Sequence, residues 1–319
     1  MPIDFILTSL LVFLVLFILG VSVAAWLIAD RIIHPPKDSY QTIENDLKTR
    51  LAYSDAEFKQ LIDTPFEEIT IQSNYGYFIK GRLFDQASDK SVILLHREGR
   101  NMVASYKFLQ MYLDLNYNIL ICDARYHGFT GGESYTYGYF ERWDLKNEAD
   151  FLFTRYGKDS LVGFHGESGG AATALMTLYQ DDRIGFTIAD SSFSELLEVL
   201  RNLEDRVLRT RSKKLLILIN QIVKRRAGFS LASVSPLMEI QALEVPVLFI
   251  HSGADEMIPP KMTKILASFK SGYNEIYIAP NSPHLLGYYQ HRIEYERRVK
   301  SFLENTEAVY RQFGKTYIK

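Results

Sequence analysis

The sequence predicts an α/β protein with a mostly parallel central sheet and helices on both faces, preceded by a transmembrane helix. Three observations carry this. The first is a series of short apolar runs separated by helical stretches: Val92-Ile-Leu-Leu, Asn118-Ile-Leu-Ile, Leu161-Val-Gly-Phe, Gly185-Phe-Thr-Ile-Ala, Pro246-Val-Leu-Phe-Ile and Glu275-Ile-Tyr-Ile-Ala. Runs this apolar suit strands covered on both faces, and their alternation with helices argues a parallel sheet. The second is the alternation of apolar and polar residues in Glu68-Ile-Thr-Ile and Tyr77 to Phe84, which reads as a pair of antiparallel strands. The third is the uncharged stretch from Phe5 to Ala29, twenty-five residues long. About 20 apolar residues cross a bilayer, whereas the apolar region of a signal peptide has roughly 7–15 and follows a positive start. Here the start is Met1-Pro2-Ile3-Asp4, without Lys or Arg.

The chain is therefore divided into an anchor at 1–30, a juxtamembrane helical segment at 31–66 and an α/β domain at 67–319. His34-Pro-Pro-Lys makes a stiff exit from the membrane, since prolines stop helices. Arg31 and Lys37 lie on the C-terminal side of the anchor and only Asp4 on the other, so the positive-inside rule places the main domain in the cytoplasm. Residues 193–236 break the alternation with helical pattern alone, and read as a helical lid over one end of the sheet. Between Arg201 and Arg226 this insertion carries nine Lys or Arg against two acids, Glu204 and Asp205, which suits either contact with anionic membrane lipid or a plain solvated helix face.

Composition excludes several classes. Hydrophobic residues make up 47 % of the 319 residues and the formal net charge is −2, so disorder and a global attraction to nucleic acid are both set aside. The single cysteine, Cys122, forbids an intramolecular disulfide and falls in a buried strand. No H-E-x-x-H, cysteine pair or phosphate loop is present, and no metal or cofactor is expected.

The motif that carries chemistry is Gly166-Glu-Ser-Gly-Gly170, a G-x-S-x-G sequence. It follows a strand and opens the helix beginning Ala171-Ala-Thr-Ala, the context of a sharp turn that lifts a serine above the sheet. Ser168 is the candidate nucleophile, and the N–H of Gly169 points at a developing oxyanion. A serine hydroxyl needs a base, and chain order in this arrangement runs serine, acid, histidine. Asp255, with Glu256 as its competitor, lies directly after one strand, and His284 follows the last strand. Of the other six histidines, His96, His165 and His251 end strands and are expected to buttress loops.

These residues resemble a known superfamily. Asp123-Ala-Arg-Tyr-His-Gly-Phe-Thr-Gly-Gly-Glu133 is similar to the D-x-R-G-H-G-x-S-x-G loop of α/β-hydrolases. Asp255-Glu-Met-Ile-Pro resembles their acid loop, and Pro283-His284 falls where their catalytic histidine lies. Glu141 and Asp144 match a further E-x-x-D of bacterial members, and Ala189-Asp-Ser-Ser-Phe and Ser235-Pro-Leu match segments around their sixth and seventh strands. The resemblance covers about residues 67–305. It is nearest to the membrane-anchored bacterial group described as dipeptidyl aminopeptidase/acylaminoacyl-peptidase-like. It implies the α/β-hydrolase fold and an oxyanion hole whose second donor is, by position, the N–H of Glu98. Two departures stand out: Arg97 replaces a glycine beside that donor, and Tyr126 replaces another.

The expected activity is hydrolysis of a carboxylic ester or related acyl bond through Ser168, Asp255 and His284, with an acyl-enzyme and no cofactor. The substrate would be a small-molecule or short-peptide acyl compound. The alternatives are a peptidase or acyl-peptide hydrolase on short substrates, and a non-catalytic binding module on a hydrolase scaffold.

Overall fold

In the computed structural model, residues 3–208 and 212–313 are described. Residues 209–211 of the basic insertion, including Arg209 and Arg211, lie outside them, as do the two ends of the chain. An apolar helix α1 (Ile3–Ile33) leads into two short helices, α2 (Tyr40–Leu51) and α3 (Asp55–Ile62). The strands β1 (Glu67–Gln72), β2 (Phe78–Phe84) and β3 (Lys90–Leu95) follow. Then come α4 (Leu109–Asp114), β4 (Asn118–Cys122), α5 (Glu141–Tyr156), β5 (Leu161–Glu167), α6 (Gly169–Thr177) and β6 (Phe186–Asp190). The insertion supplies α7 (Leu196–Leu208), α8 (Lys213–Ala227) and α9 (Pro236–Ile240). The chain closes with β7 (Val247–Ser252), α10 (Lys261–Phe269), β8 (Asn274–Ala279), α11 (Gly287–Gln290) and α12 (Arg292–Phe313).

The strands form one eight-stranded sheet in the order β1-β2-β4-β3-β5-β6-β7-β8. Only β2 runs against its neighbours; every pairing from β4 through β3 to β8 is parallel. Every residue of β4, β5, β6 and β7 is buried, as strands covered on both faces must be, whereas the edge strand β1 is buried at Ile69 alone. One core fills each face of the sheet. Tyr106, Phe108, Tyr112 and Tyr295 belong to one, and Leu145, Phe164, Leu175 and Phe249 to the other. The consequence for function is directional. Parallel strands end together, so the residues after β3, β4, β5, β7 and β8 meet at a single rim.

The anchor is expected to end at residue 30, and this packing carries its helix further. It runs on to Ile33, and its last turns are core: Ala25, Ala29, Ile32 and Ile33 are at most 7 % exposed. These positions are spaced i, i+4, i+7, i+8 and so share one face, and the two alanines let another helix approach closely. That helix is α8, whose Ile219 and Val223 join the same cluster. Asp30 accepts from Arg226 at 2.6 Å, and Arg226 also stacks over Trp26 at 4.5 Å. The segment 31–66 likewise packs as α2 and α3 onto the domain, through Ile43, Leu47 and Leu61.

The insertion lies at the carboxyl rim. Its ends are clasped by Leu196 N–H to the Val234 carbonyl (3.0 Å) and Leu237 N–H to the Ser194 carbonyl (3.1 Å). Its α8 shares a cluster with Ala172 and Met176 of α6 and with Ile258 and Met262 beyond β7.

The docked turns generate a prediction. Removing residues 1–23 leaves the α1–α8 contact whole, whereas removing residues 1–30 strips Ala25, Ala29 and the Asp30 ion pair from it. Burial of two methyl groups is worth about 2 kcal/mol at roughly 0.8 kcal/mol each. The shorter protein should therefore melt a few degrees lower, at about 2–4 °C per kcal/mol, in a calorimetric comparison of the two truncations. Equal melting temperatures would mean that the docked turns contribute nothing.

Candidate active site

Strand β5 ends in a sharp turn at Ser168, whose backbone is at φ 51° and ψ −116°. A non-glycine residue there costs on the order of 1–3 kcal/mol and persists only where its surroundings enforce it. Ser168 N–H donates to the Asp190 carbonyl at the end of β6 (2.8 Å), and the Ser168 carbonyl accepts from Ala172 N–H (3.0 Å) to close the first turn of α6. Strand and helix approach so closely that side chains are excluded on both sides of the turn. A Cβ on Gly166 would lie 2.5 Å from the Gly170 carbonyl, and one on Gly170 would lie 2.7 Å from the Leu95 and His96 carbonyls. The strand, turn and helix thus follow one another as the G-x-S-x-G spacing requires. Ser168 itself is 2 % exposed.

Asp255, after β7, and His284, after β8, meet at the same rim. His284 Nδ1 is 2.5 Å from Asp255 Oδ2, while Glu256 faces solvent. The other oxygen of Asp255 accepts from the N–H groups of Met257 and Ile258, each at 2.9 Å. Burial raises the Asp255 pKa, but hydrogen bonds from His251 and His284, the imidazole charge and the Ile258 N–H outweigh it and bring it down to about 2. The carboxylate is therefore a fixed acceptor that keeps the His284 proton on Nδ1. This leaves Nε2 as the basic nitrogen, and Nε2 is buried without a hydrogen-bond partner. The expected hydrogen bond between Ser168 and His284 is thus not made in this structure. Such contacts are often loose before substrate binds.

The remaining rim residues hold loops. His251 reaches Thr263 Oγ1 (2.6 Å) and the Ile258 carbonyl (2.7 Å), clamping the acid loop. His96 sits against the Arg97 carbonyl (2.8 Å) and accepts Ala124 N–H (2.9 Å); His127 accepts Gly99 N–H (2.9 Å). Burial lowers the pKa of His96 to about 4 and of His127 to about 3, so both are neutral buttresses. Asp123 accepts Met102 and Phe129 N–H at 2.8 Å each, and Glu141 accepts Thr136 and Gly138 N–H at 2.8 Å each. Asp144 accepts from Ser73 and Tyr77. Each of these carboxylates organises a loop or fastens one element to another.

The oxyanion region holds what the motifs left out. Gly169 N–H opens α6, where first-turn donors lack intrahelical acceptors. Glu98 brings its side chain beside Gly169. A Cβ on Gly169 would lie 3.1 Å from Glu98 Oε2 and 2.6 Å from the Tyr135 hydroxyl. Glu98 Oε2 is buried without a hydrogen-bond partner. Tyr135 is tied to α1, because its N–H donates to the Ile33 carbonyl at 2.9 Å. Beside the turn, Glu167 forms a buried ion pair with Lys107.

No protein-family model matches the chain. It is 37 % identical over 251 residues to the uncharacterised protein YqkD of Bacillus subtilis, covering 78 % of this chain and 81 % of that one. It is 25 % identical over 215 residues to an α/β hydrolase domain-containing protein of Arabidopsis thaliana, covering 63 % of this chain and 65 % of that one. Among solved structures, a Pyrococcus furiosus esterase superposes with a TM-score of 0.67 at 20 % identity, covering 86 % of this chain and 98 % of that one. An acylaminoacyl peptidase of Pyrococcus horikoshii superposes with a TM-score of 0.58 at 17 % identity, covering 79 % of this chain and 43 % of that one.

The low pKa of Asp255 has a stability consequence. It lies below the ordinary carboxylate value of about 3.9, so the unfolded chain takes up the proton first as pH falls. The stabilisation, about 2–3 kcal/mol from the shift at 1.36 kcal/mol per unit, is present above pH 4 and lost between about pH 4 and 2. Denaturant unfolding of the protein and of Asp255→Asn should show a difference at pH 5 that shrinks by pH 2. A difference that stays constant would mean that Asp255 is not held ionised by its partners.

Proposed function

We propose that this chain, which has the α/β-hydrolase fold, is a serine hydrolase cleaving a carboxylic ester through Ser168, His284 and Asp255. The observation that carries the proposal is the Asp255–His284 pair, with the unpartnered Nε2 of the histidine at the rim where the strained Ser168 turn ends. Ser168 Oγ attacks the substrate carbonyl carbon while its proton passes to His284 Nε2. The charge that forms on imidazole is balanced by Asp255. The tetrahedral oxyanion is held by the N–H groups of Gly169 and Glu98. Collapse breaks the bond to the leaving alcohol, which takes the proton from His284. Water then gives a proton to Nε2, attacks the acyl carbon and releases the acid and Ser168. Helix α1 is the membrane anchor in this proposal, with the domain on the cytoplasmic side. A helix of 31 residues, apolar and exposed along almost all of its length, supports it. A signal sequence meets the same measure, so sequencing the N-terminus of the mature protein decides between them.

A second reading, hydrolysis of short aminoacyl substrates, is favoured by the Glu98 carboxylate. An unpartnered carboxylate beside the reacting carbonyl is a receptor for a substrate ammonium. In ester hydrolysis the same charge opposes the oxyanion, since two like charges about 4 Å apart repel by several kcal/mol in a partly buried site. Ester hydrolysis then needs the Glu98 carboxylate turned away from the oxyanion.

Two experiments follow. Ser168→Ala and His284→Ala should lower kcat on p-nitrophenyl butyrate by on the order of 10⁴–10⁶ while the circular dichroism spectrum stays unchanged. A Ser168→Ala protein of full activity contradicts the mechanism. Glu98→Gln should raise kcat on the same ester several-fold by removing the repulsion. If Glu98→Gln instead abolishes turnover of aminoacyl p-nitroanilides on which the unmodified protein is active, the aminoacyl reading holds.

A further inference from the structure

A cavity of about 280 Å³ opens beside His284, near the lower end of the roughly 300–1,000 Å³ of small-molecule sites. It has room for a short substituent of a substrate whose carbonyl lies at Ser168. Its charged lining is unbalanced: Arg50, Arg97, Arg100 and Lys107 face it, against Asp46 and Glu167. The carboxylates are already taken. Asp46 accepts from Arg50 at 2.6 Å and from Arg100 at 2.5 Å, and Arg100 also reaches Asp38 at 3.0 Å. Glu167 pairs with Lys107. Arg97 is left over. Its guanidinium donates to the neighbouring Glu98 carbonyl at 3.1 Å, and among the described residues no carboxylate lies within ion-pair distance of it. The Glu98 side chain does not answer this charge, because it faces Gly169 and Tyr135 and does not line the cavity.

An unmatched cation in a concave, partly desolvated wall concentrates anions, and a guanidinium offers the fork that a carboxylate or phosphate fills with two hydrogen bonds. The cavity also has an apolar side at Leu286 and Tyr289, which suits a short carbon chain between the reacting carbonyl and the charge. Resting on the serine-hydrolase reading, we propose that the substrate carries an anionic group, a carboxylate or a phosphate, that sits in this cavity and is held by Arg97. This gives the glycine-to-arginine departure after β3 a role: Arg97 selects substrates by charge next to the base that turns them over.

The test uses the full-length Ser168→Ala protein in detergent, so that binding is read without turnover. Titration calorimetry compares two pairs of ligands that differ only in charge. Mono-p-nitrophenyl succinate against its methyl ester places a carboxylate on the acyl side. Butyrylglycerol phosphate against butyrylglycerol places a phosphate on the alcohol side. The anionic member of at least one pair should bind tenfold or more tightly, and the favoured pair identifies the side and the anion. Adding Arg97→Gln should bring that preference to within threefold, and the ratio cancels any effect on the adjacent Glu98 backbone. Arg97→Met serves if the glutamine variant does not fold. Equal affinities within threefold in both pairs would overturn the proposal, as would a preference that survives the loss of Arg97. Ester turnover by the unmodified chain without a charge preference sinks this inference alone. If no ester is turned over, the hydrolase reading fails and the calorimetry still decides what the cavity binds.

Discussion

Ser168 is held at φ 51° and ψ −116°, a conformation L side chains seldom adopt, and the carboxyl rim is arranged around that constraint. The turn exists because β5 and α6 touch where Gly166 meets Gly170 and where Gly170 meets the carbonyls ending β3. Alanine at either glycine would put a methyl group within 2.7 Å of backbone, which cannot yield without moving a central strand. The strain is supported from the other side by Asp190, whose carbonyl takes the Ser168 N–H and whose carboxylate is met by the Tyr295 hydroxyl at 3.0 Å. His165 stands below, between Tyr112 (3.0 Å) and Tyr295 (2.9 Å), kept neutral by burial that lowers its pKa to about 3. A buried polar chain of this kind rigidifies only when its members are satisfied, and these are.

The same rim joins three parts of the chain that are distant in sequence. The end of α1 packs on α8, α8 packs on α6, and α6 begins at the nucleophile turn. Ile33 is also bonded directly to Tyr135, whose hydroxyl lies against Gly169. Whatever fixes α1 therefore fixes the position of the inserted helices and of one wall around Gly169. If α1 crosses a bilayer, α8 is bound to lie near its surface, because packed helices sit about 8–10 Å apart.

Much of this was legible in the sequence. The apolar runs from Val92 to Ala279 became β3 to β8, because strands covered by helices on both faces are mostly apolar along their length, and the edge strand β8 keeps enough of that pattern to be read. The G-x-S-x-G motif and chain order point to Ser168, Asp255 and His284, and the fold brings all three to the carboxyl rim because each follows a strand of one parallel sheet. Histidines 96, 165 and 251 buttress their surroundings as strand-end residues were expected to. What stayed hidden depends on contacts between distant residues. Ala25 and Ala29 look like any small residues in an apolar run, and nothing local tells that one face of the helix docks on α8. Tyr135 belongs to no motif. Glu98 was read for its backbone, and only the folded chain shows its carboxylate against Gly169. The pairing of Lys107 with Glu167, which leaves Arg97 unmatched, is likewise a tertiary fact.

The central claim is that Ser168 is an activated nucleophile, which a fluorophosphonate probe tests directly. The probe reacts with a serine hydroxyl only where a base withdraws its proton. Mass spectrometry of the labelled, digested protein should find one adduct, on Ser168, and His284→Ala should lose it. Absence of labelling in the unmodified protein, or an adduct on another serine, would contradict the account.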